Sequence, residues 1–261
     1  MKRYKIQDFS RSFNELKLLR GDVLLVHNSL LNFGIPEDIQ IQNLSAAIFE
    51  ELKLKIGDEG TITVPTFNFD FCNGITFNKQ MTPSKNMGVF SEFIRKLPDA
   101  KRSYHPTQSL TAFGLKADFI TEKDTLSSFE YDGAFDRLKQ LNGKILLLGA
   151  DFNSVSMIHW VEERLKVPYR YWKTFDGYYH NDNQTLKKSY KMFVRSLNID
   201  AKLKLYSIED ELKKNNKILE SKVGSGMIKI FSINDFIYIA EKFIKKNPYF
   251  FVSNHSYFEK T

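Results

Sequence analysis

The stretch G-K-I-L-L-L-G-A-D-F-N-S-V-S-M-I-H-W-V-E-E-R, residues 143–164, decides how the fold is read. Its first part, Gly143 to Gly149, is a near-continuous apolar run of the kind that forms a strand buried on both faces. A polar turn then feeds a helical pattern that carries His159 and Glu162. Open α/β sheets place ligands just beyond the carboxyl ends of their strands, and this segment sets an imidazole beside a carboxylate at such a place.

Outward from there the same alternation recurs. Ser10 to Leu19 reads as a short helix, and Gly21-Asp22 turns the chain into V-L-L-V-H, Val23 to His27, a second buried strand. After the polar turn Asn28-Ser29 comes a helix across Ile41 to Leu54, with Leu44, Ala47, Ile48 and Glu51 at helical spacing. T-I-T-V-P, Thr61 to Pro65, is a third strand, ended by its proline. Thr66 to Met81 is aromatic and irregular, and a helix entered through Pro83 or Met87 follows. Lys101 to Pro106 reads as a basic loop, Ser109 to Gly114 as a short strand and Ile233 to Lys246 as a closing helix. Strands alternating with helices predict an α/β fold with a mostly parallel central sheet. Residues 169–223 change character, being aromatic, then lysine-rich, then weakly periodic, and read as a possible C-terminal elaboration of the same domain.

With 261 residues, 42% of them apolar and 14% aromatic, the chain can bury one substantial core, and no repeat or linker divides it. Residues 1–261 are therefore read as a single domain. Its one cysteine, Cys72, excludes an intramolecular disulfide and a cysteine-based zinc site, and H-E-x-x-H is absent, so no metal is expected. No signal-peptide pattern and no run approaching the roughly 18 apolar residues of a spanning helix occurs, which predicts a cytoplasmic protein without a membrane partner. Thirty-eight Lys and Arg against 31 acids give a net charge of +7, a field that attracts anions, although a lysine-rich solvated surface accounts for it equally well. The basic residues are scattered and no nucleic-acid-binding signature accompanies them, so nucleic acid is not an expected partner. The absence of G-x-G-x-x-G, of G-x-x-x-x-G-K-[ST] and of G-x-S-x-G weighs against dehydrogenase, ATPase and ordinary serine-hydrolase readings.

His159 and Glu162 lie three apart on one helix face, their Cβ atoms about 5–6 Å apart. A carboxylate holding one ring nitrogen fixes the tautomer and leaves the other as a base near neutral pH, whereas a helix-surface ion pair is the plain alternative. Ser29 directly follows the first apolar strand and Ser84 precedes a helix, where a hydroxyl beside unpaired N–H groups can hold a phosphate or oxyanion or simply cap the helix. In R-S-Y-H-P-T-Q-S, Arg102 to Ser109, a cation, an imidazole and hydroxyls crowd a turn fixed by Pro106, where His105 can equally be a structural residue. His27, ending a buried strand, has the same structural alternative.

Taken in order, G-D-V-L-L-V-H-N-S-L (Gly21 to Leu30), G-T-I-T-V-P-T-F (Gly60 to Phe67), T-P-S-K-N-M-G-V-F-S-E-F-I-R (Thr82 to Arg95), R-S-Y-H-P-T-Q-S-L-T-A-F-G (Arg102 to Gly114), G-K-I-L-L-L-G (Gly143 to Gly149), I-H-W-V-E (Ile158 to Glu162) and a terminal V-G-S-G before a helix resemble the aminoglycoside 3-N-acetyltransferase family. The likeness spans nearly the whole chain. It implies an α/β/α sandwich, an acyl-CoA-dependent N-acyltransferase, His159 as general base and Glu162 as its orienting partner. It also implies His27, Ser29, Leu30, Thr66, Ser84, His105 and Ser109 on the acyl-CoA side, and Tyr104, Asp151, Asn153 and Tyr169 on the acceptor side. One departure bears on the acceptor: Val155 stands where Asn or Asp is common four positions before the histidine, and Ser156 where Thr is usual.

Acetyl-CoA or another short acyl-CoA is the expected co-substrate, an amino sugar the expected acceptor, and a monomer or homodimer the expected state. The positive net charge tilts the acceptor toward a nucleotide-linked (dTDP-) amino-deoxy sugar of surface-polysaccharide synthesis, with aminoglycoside acetylation conferring antibiotic resistance as the alternative. A non-catalytic CoA- or sugar-binding homologue is the alternative of another class, and an acyl-CoA hydrolase would release CoA with no acceptor present.

Overall fold

The computed structural model describes residues 2–196 and 202–252. Its amino-terminal part comprises β1 (Arg3–Tyr4), α1 (Ile6–Glu15), β2 (Val23–Asn28), β3 (Ile35–Pro36), α2 (Leu44–Ile56) and β4 (Thr61–Pro65). The middle part comprises β5 (Phe77–Asn78), α3 (Val89–Arg95), β6 (Lys101–Arg102), β7 (Leu110–Gly114), α4 (Ala117–Thr121), α5 (Ala134–Gln140), β8 (Lys144–Leu148) and α6 (Ile158–Leu165). The chain then forms a long hairpin of β9 (Arg170–Asn181) and β10 (Gln184–Arg195), followed by α7 (Tyr206–Lys214), β11 (Ile218–Val223), β12 (Gly226–Ser232) and α8 (Ile233–Lys246). The start of α8 is fixed locally, because the Ser232 hydroxyl accepts from the N–H groups of Asn234 and Asp235.

Seven strands build the main sheet in the order β11-β12-β8-β2-β4-β7-β6. Only β8–β2 and β2–β4 pair in parallel, while β11–β12, β12–β8, β4–β7 and β6–β7 are antiparallel. The sheet is therefore mixed, not mostly parallel as the sequence predicts. Apolar periodicity marks a strand but not its direction, and the short Gly224-Ser225 link between β11 and β12 permits only an antiparallel return. Residues 169–223 contain the hairpin, α7 and β11, and β11 is an edge strand of the main sheet.

Alternation along the central strands feeds two cores. Leu25, Ile145 and Leu147 join Phe135, Val161 and Phe236 on one face, while Leu24, Val26, Leu146 and Leu148 join Phe9, Ile48 and Phe90 on the other. A third, smaller cluster of Phe71, Phe77, Tyr179 and Tyr190 lies under the hairpin, whose β9 pairs with β5.

Candidate active site

Parallel β2, β4 and β8 end at the same edge of the sheet, so His27-Asn28, Pro65 to Phe67 and the segment after Gly149 converge there. The convergence is close: the Ser29 N–H donates to the Leu148 carbonyl at 2.9 Å. Gly149 has φ +72°, and a Cβ on it would stand 2.7 Å from the Ser29 carbonyl oxygen. Asp151 then caps a 3-10 turn, Phe152–Ser154, by accepting from the Asn153 N–H at 2.8 Å. The chain enters α6 with His159 in its first turn.

One helical turn on, Glu162 is 0% exposed and carries several donors. His159 Nδ1 lies 2.6 Å from its Oε2, the Tyr169 hydroxyl donates to Oε1 at 2.9 Å, and Arg170 Nε stands 2.9 Å from Oε2 as an ion pair. Arg170 also donates through Nη1 to the Phe193 carbonyl at 3.1 Å, which ties the start of β9 to β10. Burial by itself would raise the Glu162 carboxyl, but the hydrogen bond from His159 and the Arg170 charge outweigh it and hold it below the usual range. An ionised carboxylate at that distance demands a proton on Nδ1, and the edge-on Phe129 ring, 5.7 Å away between centroids, steadies the imidazole. Nε2 is left as the basic nitrogen. Among the described residues none bonds to it, and the side chain is 28% exposed.

Two cavities meet at this ring. The narrower, about 280 Å³, runs between His27, Asn28, Pro65, Met87 and Ser156 to His159. The broader, about 630 Å³, opens over Phe69, Gln108, Arg170, Phe193, Arg195 and Lys202. Asn153 and His159 line both. His27, pushed down to about 3 by burial, is a neutral wall residue with Nε2 3.4 Å from the Ser156 hydroxyl.

The structure thus brings His159, Glu162, His27 and Asn153 together. Ser29 and Leu30 lie beside them at the end of β2, Leu30 facing a neighbouring apolar groove with Leu31, Ile41 and Val89. The other expected site residues are placed differently, for identifiable reasons. Thr66 and Ser109 are fully buried and bonded to each other at 3.1 Å, and Ser109 accepts from Arg102 Nε at 2.9 Å. The Ser109 hydroxyl and the Thr66 backbone carbonyl accept from a guanidinium only 6% exposed, while the Thr66 hydroxyl bonds to Ser109 and Thr111. The His105 ring is buried against Tyr190, bonded to Thr107 and to the Lys191 carbonyl, and burial lowers it to about 4. Ser84 donates to Glu92 at 2.9 Å. Tyr104 sits under Lys79, whose ammonium is 3.4 Å from the ring centroid, in a separate cavity. Asp151 is exposed and accepts from the Tyr206 hydroxyl at 2.9 Å, and Tyr169 stands behind Glu162 rather than in the acceptor space.

Sequence reading missed Phe129, Asn28 and Met87, and the part Arg170 plays on Glu162. Only Asn28 carries a local signal, as the polar residue that closes an apolar strand.

This fold, with a histidine oriented by a buried carboxylate and a free ring nitrogen where two cavities meet, defines an α/β protein equipped for general-base chemistry at its sheet edge. Residues 25–245 match the model of the aminoglycoside 3-N-acetyltransferase family, and the chain belongs to that family. Aminoglycoside N(3)-acetyltransferase III of Salmonella is 26% identical over 186 residues, a match covering 64% of this chain and 63% of that protein, so the chain spans less than two thirds of this relative's length. The SPbeta prophage-derived aminoglycoside N(3')-acetyltransferase-like protein YokD of Bacillus subtilis is 24% identical over 92% of both chains. The fold is shared with AAC-IIIb in its binary form with CoASH, at TM-score 0.81 and 19% identity, covering 96% of this chain and 98% of that one. It is also shared with the crystal structure of YokD, at TM-score 0.79 and 24% identity over 95% of each chain.

Proposed function

We propose that this chain is an acyl-CoA-dependent N-acetyltransferase of the aminoglycoside type, with His159 as general base and Glu162 as the group that orients it. One observation carries the reading: His159 Nε2, unbonded among the described residues, stands where a narrow and a broad cavity meet. The narrow one, with neutral walls, suits a slim thioester arm, and His27, Asn28 and Met87 would line it near the mouth at Ser29 and Leu30. The broad one, flanked by Asn153, suits the sugar amine.

An amine attacks a thioester only as the free base. In the proposed reaction the nitrogen forms a bond to the acetyl carbonyl carbon while Nε2 takes its proton. The C–S bond then breaks, and the proton passes to the departing thiolate, leaving amide and free CoA. Glu162 stays ionised throughout and stabilises the transient imidazolium, and general-base help from His159 is worth about 10²–10⁴-fold. The relatives' names support aminoglycosides as the acceptor class. The nucleotide-linked acceptor expected from net charge finds no support among them.

The test is thiol release from acetyl-CoA with kanamycin-type amines. His159→Gln should lower turnover at least about 10²-fold with melting temperature and CoA binding unchanged. Near-normal turnover in the folded variant overturns the assignment, and thiol release without any amine marks a hydrolase instead.

A further inference from the structure

Two of the groups that hold Glu162 come from the residues just after α6. Lys166 ends that helix in the left-handed region, at φ +50°, and the Val167 N–H reaches back to the Glu162 carbonyl at 3.2 Å. The chain therefore reverses at once. A second turn, in which the Arg170 N–H donates to the Val167 carbonyl at 3.3 Å, sets Tyr169 and Arg170 beside the carboxylate. The Tyr169 hydroxyl holds Oε1. Oε2 is shared: His159 Nδ1 lies 2.6 Å from it and Arg170 Nε 2.9 Å, and Arg170 Nη2 stands 3.3 Å from the same imidazole nitrogen because both groups converge on one oxygen. A carboxylate met on both oxygens cannot turn away from the ring without giving up a partner.

Arg170 also faces the other way. Its side chain, 12% exposed, lines the broad cavity, and its Nη1 donates to the Phe193 carbonyl at 3.1 Å across the root of the hairpin. Phe193 and Val194 line the same cavity. One guanidinium thus joins the carboxylate behind the base to the cavity wall in front of it, and a planar fork suits this because its N–H groups point in fixed, separate directions. Since Glu162 matches its charge, Arg170 presents no free cation to a polycationic amine.

We infer that Arg170 is a positioning residue: it holds Glu162 in line with His159 Nδ1 and fixes the wall of the broad cavity relative to Nε2. Calling that wall the acceptor's rests on the transferase reading above; the hold on Glu162 does not. The two duties separate chemically. A lysine at 170 supplies the charge that steadies Glu162 but lacks the fork that also reaches the Phe193 carbonyl.

The test compares the full chain with Arg170→Met, Arg170→Lys and Tyr169→Phe, the last an isosteric change that frees Oε1 and leaves the Phe193 tie intact. In the protein without substrate, proton NMR follows the downfield imidazole N–H signal of the His159–Glu162 hydrogen bond, assigned by its loss in His159→Gln. The signal should be broadened or lost in Arg170→Met and regained in Arg170→Lys. In steady-state acetylation of kanamycin, Arg170→Met should lower kcat at least about tenfold and raise KM for the amine at least about fivefold, with KM for acetyl-CoA within about twofold of the parent. Arg170→Lys should regain most of kcat and keep the raised KM, whereas Tyr169→Phe should lower kcat and leave that KM alone. An imidazole signal and rate constants in Arg170→Met within about twofold of the parent overturn the assignment. So does a kcat loss that lysine does not regain while both KM values stay fixed, the mark of a merely weakened fold. Should Arg170→Met fail to fold, the other two variants decide, and equal KM values for the amine in Arg170→Lys and Tyr169→Phe overturn the assignment. If no amine is acetylated while the imidazole signal follows the expected pattern, the transferase reading falls and the hold on Glu162 stands; normal acetylation by all three variants does the reverse.

Discussion

Glu162 is fully buried and ionised, so its charge is balanced only by the groups around it: His159 Nδ1, the Tyr169 hydroxyl and Arg170. Glu162→Gln removes the charge, frees the imidazole to choose the other tautomer and strands Arg170. It should therefore cost about 3–5 kcal/mol in urea denaturation and at least about 10²-fold in kcat, with Glu162→Asp recovering part of both. The neighbouring Glu163 behaves oppositely. Burial raises its carboxyl to about 7, and it accepts from the Ser127 hydroxyl at 2.7 Å, in the loop that carries Phe129 against His159. Because the folded state holds this proton more tightly than the unfolded chain, stability is complete below the ordinary glutamate range and falls as pH rises toward about 7. Glu163→Gln should flatten that slope and stabilise the protein by about 1–3 kcal/mol at pH 8, with no gain at pH 4, as melting curves at the two pH values will read. Of these residues the sequence exposed His159 and Glu162, because a spacing of three on a helix is a local fact. Tyr169 and Arg170 reach Glu162 only through the way the chain turns after Leu165, which no local pattern encodes. Thr66 and Ser109, which only the family resemblance set on the acyl-CoA side, turn instead to the buried Arg102, which donates to the Ser109 hydroxyl and to the Thr66 backbone carbonyl, a long-range contact that no local pattern encodes.

Between the strand edge and the helix that walls the narrow cavity, one side chain makes the connection. Asn28, the last residue of β2, donates through Nδ2 to the Met87 carbonyl and the Ser91 hydroxyl at 3.0 and 2.9 Å, and accepts from the Phe90 N–H at the start of α3. Gly88 lies against it with φ +85°, and a Cβ there would fall 2.1 Å from Asn28 Oδ1. Asn28→Ala should cost about 2–3 kcal/mol and raise KM for the acyl donor while sparing kcat, measured by urea titration and steady-state kinetics. At this scale legibility followed burial. β4 and α8 run over the residues the periodicity marks, Thr61–Pro65 and Ile233–Lys246, because both sit against the core on a regular face. The β9–β10 hairpin did not show itself. From Tyr171 to Thr174 every residue is exposed, so no apolar-polar alternation is written there. Its turn, Asp182-Asn183, takes φ +47° and +64°, the mirror-image geometry usually announced by Asn-Gly or Asp-Gly.

Across the whole molecule, the same inequality of burial sets an order of opening. β2 and β8 lie in the middle of the sheet with a core on each face, whereas the hairpin rests on one small aromatic cluster and leaves Tyr171, Trp172 and Tyr178 exposed. Amides of β2 and β8 should therefore exchange with deuterium only through global unfolding, and those around Asn181 to Gln184 through a much smaller opening. The active site straddles the two regions, since His159 belongs to the helix after β8 while Arg170 and Phe193 belong to the hairpin. The two cavities consequently make separate claims on this exchange map. An acyl-CoA bound in the narrow cavity should slow exchange across residues 82–90, where Asn28 holds Met87 and Phe90, and leave the hairpin base unchanged. An acceptor in the broad cavity should slow residues 170–172 and 193–195, bracing the hairpin against the body of the protein. The opposite pattern, with the coenzyme protecting the hairpin and the amine protecting 82–90, would exchange the roles of the two cavities while leaving His159 between them.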